Sequence, residues 1–221
     1  MSHIFLVGAT GGVGSRLHPI LTEAGHTVTA LHRKPGQAEP LRRAGVTPVA
    51  GDIIDMEPAD LARAMQGADT IVFSAGAAGS GQDRATAIDG DGPIKLLKAA
   101  AEVGAKRIYI VSVFPEAGRR KDLGDGFEHY MEQKKRADVA VASSDLDWVI
   151  LRPGTLTDDD GNGQVNLGPV IPYGDVARGN VAKVLARLID TPEIRREIIE
   201  LTDGDRPVPN ALADIASLRD R

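Results

Sequence analysis

Short runs of β-branched and other apolar residues alternate along this chain with longer stretches in which apolar residues recur at helical spacing. The short runs predict strands at residues 3–7, 27–32, 46–49, 70–74, 107–112, 148–151 and 197–202. The longer stretches predict helices at residues 12–24, 38–44, 59–65, 94–103, 128–142 and 181–189, with a last helix beginning after Pro209.

The order of these elements predicts the fold class. The predicted strands are apolar throughout at residues 71–73 and 108–111, which is typical of parallel strands covered on both faces. Asn180 stands where it can cap the helix predicted at 181–189. Alternation of strand and helix with short connections predicts one doubly wound α/β domain with a parallel sheet, over residues 1–221. Glycine ends four of the helices, at Gly25, Gly45, Gly67 and Gly104.

The least regular part of the chain is residues 158–178, which are rich in Gly, Asp and Pro. We expect a loop or a small substrate lobe there, over the carboxyl edge of the sheet, where such folds bind ligands. Residues 158–163 match the first half of a calcium loop, but Pro169 stands where the bidentate glutamate belongs. The five histidines show no metal-ligand spacing either, so we expect no metal.

Composition and charge exclude several classes of function. The net charge is −5 and the aromatic residues are four Phe, three Tyr and one Trp, so we expect no nucleic-acid partner. The absence of cysteine removes disulfides, thiolate metal sites and cysteine nucleophiles. The N-terminal residues lack the basic segment of a signal peptide, and no apolar run approaches the roughly 20 residues that span a bilayer. We therefore expect a cytoplasmic protein without a membrane partner.

A glycine-rich turn follows the first predicted strand and precedes a predicted helix. Gly8 permits a tight turn, Gly11 lets the backbone approach a diphosphate, and Gly14 lets the helix pack against the strand. The start of the helix offers free N–H groups to an anion. The alternative is a purely structural turn. The candidate diphosphate-binding residues are Gly8, Thr10, Gly11, Gly12, Val13 and Gly14.

The glycine spacing GxxGxxG resembles that of short-chain dehydrogenases/reductases of the extended and atypical kind. Over residues 3–210 the chain is most similar to small NAD(P)H-binding proteins that group with NmrA-like regulators and sugar-epimerase-like sequences. The resemblance implies a Rossmann fold and a nicotinamide dinucleotide cofactor.

The end of the second strand indicates which nicotinamide cofactor binds. Arg33 and Lys34 stand where a relative that prefers NAD would place an acidic residue, and cations there suit the 2′-phosphate of NADP. The alternative is that both are solvated loop charges. We expect NADP rather than NAD.

The resemblance implies further cofactor contacts along the same edge of the sheet. It places Asp52, followed by Ile53, at the adenine amino group, although Asp52 also fits an ordinary turn. It assigns three small residues after the fourth strand and a proline after the sixth to the cofactor path: Ser74, Ala75, Gly76 and Pro153.

Lys134 follows Tyr130 by four positions, which places both on one face of the predicted helix. An adjacent ammonium favours the ionised form of a tyrosine and eases proton exchange. The resemblance implies that Tyr130 is the acid/base, that Lys134 also holds the nicotinamide ribose, and that Ser112 supplies a hydroxyl. The alternative is a tyrosine that packs an amphipathic helix.

Two functions follow from these residues. The first is an NADP-dependent oxidoreductase or epimerase-like enzyme that acts on a small carbonyl or hydroxyl substrate. The second is a non-catalytic regulator that senses NADP(H). Tyr130 and Lys134 favour the enzyme, whereas Val113 and Phe114 occupy positions at which many relatives carry further hydroxyls and so favour the sensor. The oligomeric state stays open.

Overall fold

A parallel sheet forms the centre of the molecule. The computed structural model describes residues 1–119 and 121–218. Its strands are β1 (His3–Val7), β2 (Thr27–His32), β3 (Thr47–Ala50), β4 (Thr70–Phe73), β5 (Arg107–Val111), β6 (Asp147–Pro153), β7 (Thr155–Thr157), β8 (Gln164–Gly168), β9 (Asp175–Ala177), β10 (Glu197–Asp203) and β11 (Arg206–Pro207). The strand order of the main sheet is β11-β8-β10-β6-β5-β4-β1-β2-β3. From β3 to β10 every neighbouring pair is parallel, so the predicted fold class is confirmed.

Helices cover both faces of the sheet. They are α1 (Gly14–Glu23), α2 (Ala38–Arg43), α3 (Pro58–Ala64), α4 (Gln82–Arg84), α5 (Asp91–Val103), α6 (Gly124–Ala142), α7 (Arg178–Ile189) and α8 (Val208–Leu218). One apolar core joins the sheet to α1, α2, α7 and α8. A second core joins the opposite face to α3, α5 and α6. Among the residues that the structure describes, no helix combines the length and the apolar character needed to cross a bilayer.

Burial along β1 shows why the central strands are apolar throughout. Ile4 and Leu6 belong to one core, while Phe5 and Val7 belong to the other. Successive side chains of a strand point to opposite faces, so a strand covered on both sides needs apolar residues at every position.

The register of the central strands determines where the site lies. Val7 at the end of β1 pairs with Leu31 of β2 on one side and with Phe73 of β4 on the other. The connections after β1 and β4 therefore diverge at one edge of the sheet. Ligands bind at this reversal of strand order in open α/β sheets.

Two helices begin earlier than their apolar periodicity predicts. The helix predicted from residue 128 begins at Gly124, where the chain turns with a φ of 74° and Asp122 Oδ1 accepts the Gly124 N–H. The helix predicted from residue 94 begins at Asp91, and a π-helical turn over Ala85–Gly90 leads into it. Glycine and polar residues dominate both starts, so the apolar pattern does not extend to them.

Residues 158–178 are more regular than expected. Strand β8 lies within the main sheet, antiparallel to β10, and β7 pairs with β9 in a separate parallel pair. The prediction that Asn180 caps a helix is wrong, because α7 already begins at Arg178. The Asn180 side chain instead accepts the Gly163 N–H and donates to Asp203 Oδ1.

Candidate functional site

A cleft of about 850 Å³ lies at the carboxyl edge of the parallel strands. Loops after β1, β2, β3, β4 and β5 form one side of it, and α6 forms part of the other. The sequence-predicted residues in its wall are Gly8, Thr10, Gly11, Gly12, Val13, Arg33, Lys34, Asp52, Ile53, Ser74, Ala75, Gly76, Ser112, Tyr130 and Lys134. Gly14 and Pro153 are outside the wall: Gly14 packs beneath the turn, and Pro153 is buried in β6 beside Leu201.

The glycine turn is a close-packed cradle. Gly8 has a φ of +96°, and a Cβ on it would lie 2.6 Å from the backbone nitrogen of Ala75. The Gly11 N–H donates to the Gly8 oxygen at 2.9 Å. A Cβ on Gly14 would overlap that same oxygen. The turn thus presents backbone rather than side chains to the cleft, as a diphosphate requires.

Arg178 covers one side of this turn, a contact that no pattern in the sequence predicted. A Cβ on Gly12 would lie 2.5 Å from Cδ of Arg178. Arg178 also lines the cleft, although the two residues are far apart in the sequence. Only the fold brings them together, since α7 starts beside the glycine turn.

The cationic end of β2 is held by a glutamine that the sequence analysis also missed. The backbone N–H groups of Arg33 and Lys34 donate to Gln37 Oε1 at 3.2 and 2.9 Å. Gln37 Nε2 donates in turn to Thr10 Oγ1 at 2.9 Å. Gln37 therefore fixes the two cations relative to the glycine turn.

Asp52 lies beside this cationic corner and also shapes its own turn. Its Oδ1 accepts the Ile54 N–H at 3.0 Å. Its Oδ2 lies 3.7 Å from Arg33 Nη1, and the Arg33 side chain remains 52% exposed. Asp52 therefore does stabilise a turn, which was the alternative interpretation of this residue. Arg33 stays accessible to a ligand.

Ser112 brings an unpartnered hydroxyl to the cleft. Its backbone N–H donates to the Leu151 oxygen at 2.7 Å, and its buried Oγ has no hydrogen-bond partner among the described residues. A buried hydroxyl without a partner is unfavourable unless a ligand satisfies it. Phe114 belongs instead to a small apolar cluster and packs edge-on against Tyr173, with ring centroids 5.4 Å apart.

Tyr130 lies in the cleft wall on α6. Burial raises its pKa, and the negative charges of Asp89 and Asp138 raise it further. The expectation that an adjacent ammonium lowers this pKa is therefore wrong. Lys134 is only 4% exposed, donates to the Val111 oxygen at 2.7 Å and lies 3.6 Å from Asp89 Oδ1.

Asp89 is the acidic group of the site that sequence reasoning missed. It is 1% exposed, lies on the π-helical turn and accepts the Ala77 N–H at 3.0 Å through Oδ2. It therefore joins the loop after β4 to Lys134 on α6. No spacing in the sequence marks this contact, which crosses between two helical segments.

Together these groups form one site whose parts differ in the chemical groups that they present. Its wall includes exposed cations, a glycine turn suited to a diphosphate, a buried hydroxyl and a phenol. Within residues 1–119 and 121–218, no cluster of three or more His, Cys, Asp or Glu side chains is arranged to hold a metal ion. The donor set fits a nicotinamide dinucleotide.

Known proteins share this architecture. The profile of a family described as NAD(P)H-binding matches residues 8–192. A Bacillus subtilis protein named "Uncharacterized sugar epimerase YhfK" is 34% identical over 211 residues, covering 95% of this chain and 98% of the relative.

Solved structures agree with the sequence match. A Bacillus halodurans protein, provisionally assigned as an NAD-dependent epimerase/dehydratase, has a TM-score of 0.86 and 29% identity, covering 99% of this chain and 100% of the other. The Escherichia coli O157:H7 anaerobilin reductase ChuY has a TM-score of 0.77 and 25% identity, covering 92% and 98%. The chain therefore belongs to the NAD(P)H-binding family with the Rossmann fold, among its oxidoreductase-like and epimerase-like members.

Proposed function

We propose that this protein is an NADP(H)-dependent oxidoreductase that reduces the carbonyl group of a small molecule. One observation carries the proposal: a buried hydroxyl without a partner, Ser112 Oγ, lies in the same cleft as Tyr130 and the glycine turn. A site that only sensed the nucleotide would not need an unsatisfied hydroxyl at this place, because burying one is unfavourable.

Arg33 and Lys34 support NADP(H) over NAD(H). Both are exposed in the cleft wall, and β2 itself contains no acidic residue. The Asp52 carboxylate lies 3.7 Å from Arg33 but leaves that side chain 52% exposed. A charge-assisted contact from either one suits a 2′-phosphate. Gln37 holds the backbone of both, so less conformational freedom is lost when they bind.

Tyr130 suits the role of an acid. The nicotinamide, when bound, supplies the hydride. The phenol is protonated at neutral pH, as a tyrosine with an ordinary or raised pKa is, and can donate its proton to a carbonyl oxygen. Ser112 Oγ is free to donate a second hydrogen bond to that oxygen. Lys134 has three N–H donors, of which one binds the Val111 oxygen and another faces Asp89, so one remains for a ribose hydroxyl.

The named relatives support a redox or epimerising reaction but differ in substrate. One is named as a sugar epimerase and another as an anaerobilin reductase. Function depends on the site rather than the fold. We therefore assign the reaction type to this chain and leave the substrate at the level of a small carbonyl compound.

The test is loss of 340 nm absorbance by NADPH across a panel of aldehydes, ketones and quinones. Tyr130→Phe should reduce turnover by about 10²–10⁴-fold, the effect typical of a lost general acid. Its affinity for NADPH should not change, because the phenol faces substrate. Reductive turnover should persist as the pH rises past about 10, the ordinary tyrosine pKa, because the pKa of Tyr130 lies higher.

Tyr173→Phe is the matched control, since Tyr173 lies outside the cleft and its hydroxyl bonds to Thr155. Equal turnover by wild type and Tyr130→Phe contradicts the role of Tyr130. Tight NADPH binding without turnover of any compound by wild type favours the NADP(H)-sensing regulator instead.

A further inference from the structure

We infer that Arg178 binds the diphosphate of the cofactor and that Asp158 competes with the diphosphate for its guanidinium. The inference rests on the proposed nucleotide cofactor and adds a binding residue that the glycine motif does not contain. Arg178 lines the cleft, and its Cδ and Nε lie 2.5 and 2.7 Å from where a Gly12 Cβ would stand. Its guanidinium is therefore beside the part of the turn that faces a diphosphate.

The other cations that line the cleft do not contact the glycine turn through their side chains in the structure described. Arg33 and Lys34 lie at the end of β2, and Lys134 is buried against Asp89. Among the described residues of the cleft wall, Arg178 is thus the cation in contact with the glycine turn.

Arg16 does not replace it, although it also reaches the turn. Its Nη1 donates to the Gly12 oxygen at 2.9 Å, and its Nε donates to Asp160 Oδ1 at 3.0 Å. A third donor, Nη2, binds the Asp158 backbone oxygen. These contacts fasten residues 158–160 to the outside of the turn and engage all three nitrogens of the Arg16 guanidinium.

The present partner of Arg178 is one that a diphosphate can displace. Arg178 Nη1 lies 2.7 Å from Asp158 Oδ1, but the Asp158 side chain is 88% exposed while that of Arg178 is 26% exposed. A pair with one fully solvated member contributes little, because water replaces the lost contact. A diphosphate in the cleft offers the guanidinium two charged acceptors and planar, bidentate geometry.

Residues 158–160 are therefore held beside the glycine turn by Arg16 and by Arg178. Only the contact with Arg178 changes when the cofactor binds. The Arg16 contacts persist when Arg178 turns from Asp158 to the diphosphate, so the backbone of the segment stays in place. Only the Asp158 carboxylate is released to solvent. Its competition should weaken cofactor binding to a modest extent.

The first test is calorimetric titration of the folded full-length chain with NADPH and with NADH. Arg178→Met keeps the aliphatic packing against Gly12 and removes the charge. The change should lower the affinity for both dinucleotides by the same factor, about ten- to a hundredfold, because both contain the diphosphate. Arg187→Ala is the matched control, since Arg187 is exposed near the other end of α7.

The outcomes separate this inference from the proposed cofactor. If wild type binds neither dinucleotide, the proposed function fails together with the inference. If wild type binds NADPH and Arg178→Met binds it equally well, the inference alone is overturned. A loss confined to NADPH overturns it as well, because Arg178 would then contact the 2′-phosphate.

The second test addresses competition by Asp158. Asp158→Asn should tighten binding of both dinucleotides about two- to tenfold by removing the carboxylate that holds Arg178. The same change in the Arg178→Met background should have no effect, which makes a double-mutant cycle. Weaker binding by Asp158→Asn, or an equal gain in both backgrounds, overturns the competition.

Discussion

The proposed preference for NADP(H) rests on two cations at the end of β2, and their effect can be measured one side chain at a time. Arg33→Ala should weaken NADPH binding by about ten- to a hundredfold, since a hydrogen bond to a charged group contributes roughly 1.5–3 kcal/mol. NADH binding should be nearly unchanged, because NADH has no 2′-phosphate. Arg42→Ala removes the same charge from an exposed position on α2 and is the control. Equal affinity of wild type for both nucleotides contradicts the prediction.

Single residues also show where sequence reasoning reaches its limit. The resemblance to short-chain dehydrogenases/reductases placed Gly8, Ser112 and Tyr130 in a common site, and all three line one cleft. It missed Asp89 and Arg178, whose partners lie far along the chain. The direction of the Tyr130 pKa shift was also missed, because burial, Asp89 and Asp138 together raise this pKa.

A buried ion pair is one of the contacts between α6 and the π-helical turn. Asp89 and Lys134 are 1% and 4% exposed, and their charged atoms lie 3.6 Å apart. Asp89→Ala should destabilise the protein by about 3–5 kcal/mol, because the Lys134 ammonium is left buried without its carboxylate. Adding Lys134→Met should restore much of that loss, since no charge then remains in the interior.

Urea denaturation of the two single variants and the double variant measures this coupling. Glu132→Ala on the exposed face of α6 is the control for a lost carboxylate. Strictly additive effects of the two single changes contradict a coupled pair. Activity is not the readout here, because Lys134 lies in the proposed active site.

The elements themselves were predictable wherever apolar periodicity was strong. Strands β1 and β2 begin and end at the predicted residues, since Gly8 follows the apolar run of β1 and charged residues follow β2. The start of α6 and the π-helical turn Ala85–Gly90 were not predictable, because contacts with each other stabilise them. One such contact joins Thr86 Oγ1 to His129 Nε2 at 2.7 Å.

At the scale of the whole molecule, the sequence predicted the parallel part of the sheet and missed its far edge. Alternation of strand and helix leads to parallel neighbours, and that rule holds from β3 to β10. Strand β8 breaks the rule because it follows β7 without an intervening helix and returns antiparallel beside β10. It has only two apolar side chains, Val165 and Leu167, and the Gly- and Asp-rich residues around it predicted a loop instead.

Asn180 joins this edge to the rest of the protein. It is 1% exposed, accepts the Gly163 N–H at 2.8 Å, and donates to the Gln164 oxygen and to Asp203 Oδ1 at 3.2 and 2.7 Å. It therefore connects α7 with the start of β8 and the end of β10. Removing this side chain removes three hydrogen bonds, to a half-buried backbone N–H and to two residues at the surface.

Asn180→Ala should lower the free energy of unfolding by about 2–3 kcal/mol, because it removes three hydrogen bonds that contribute roughly 0.5–1.5 kcal/mol each. The better helix propensity of alanine offsets only about 0.7 kcal/mol of this. For a chain of this size, the melting temperature should fall by roughly 4–10 °C. Hydrogen exchange should quicken in residues 158–178, whereas Asn210→Ala, at an exposed position of α8, should change neither quantity. An unaltered melting temperature in Asn180→Ala would show that the far edge of the sheet is held by apolar packing alone.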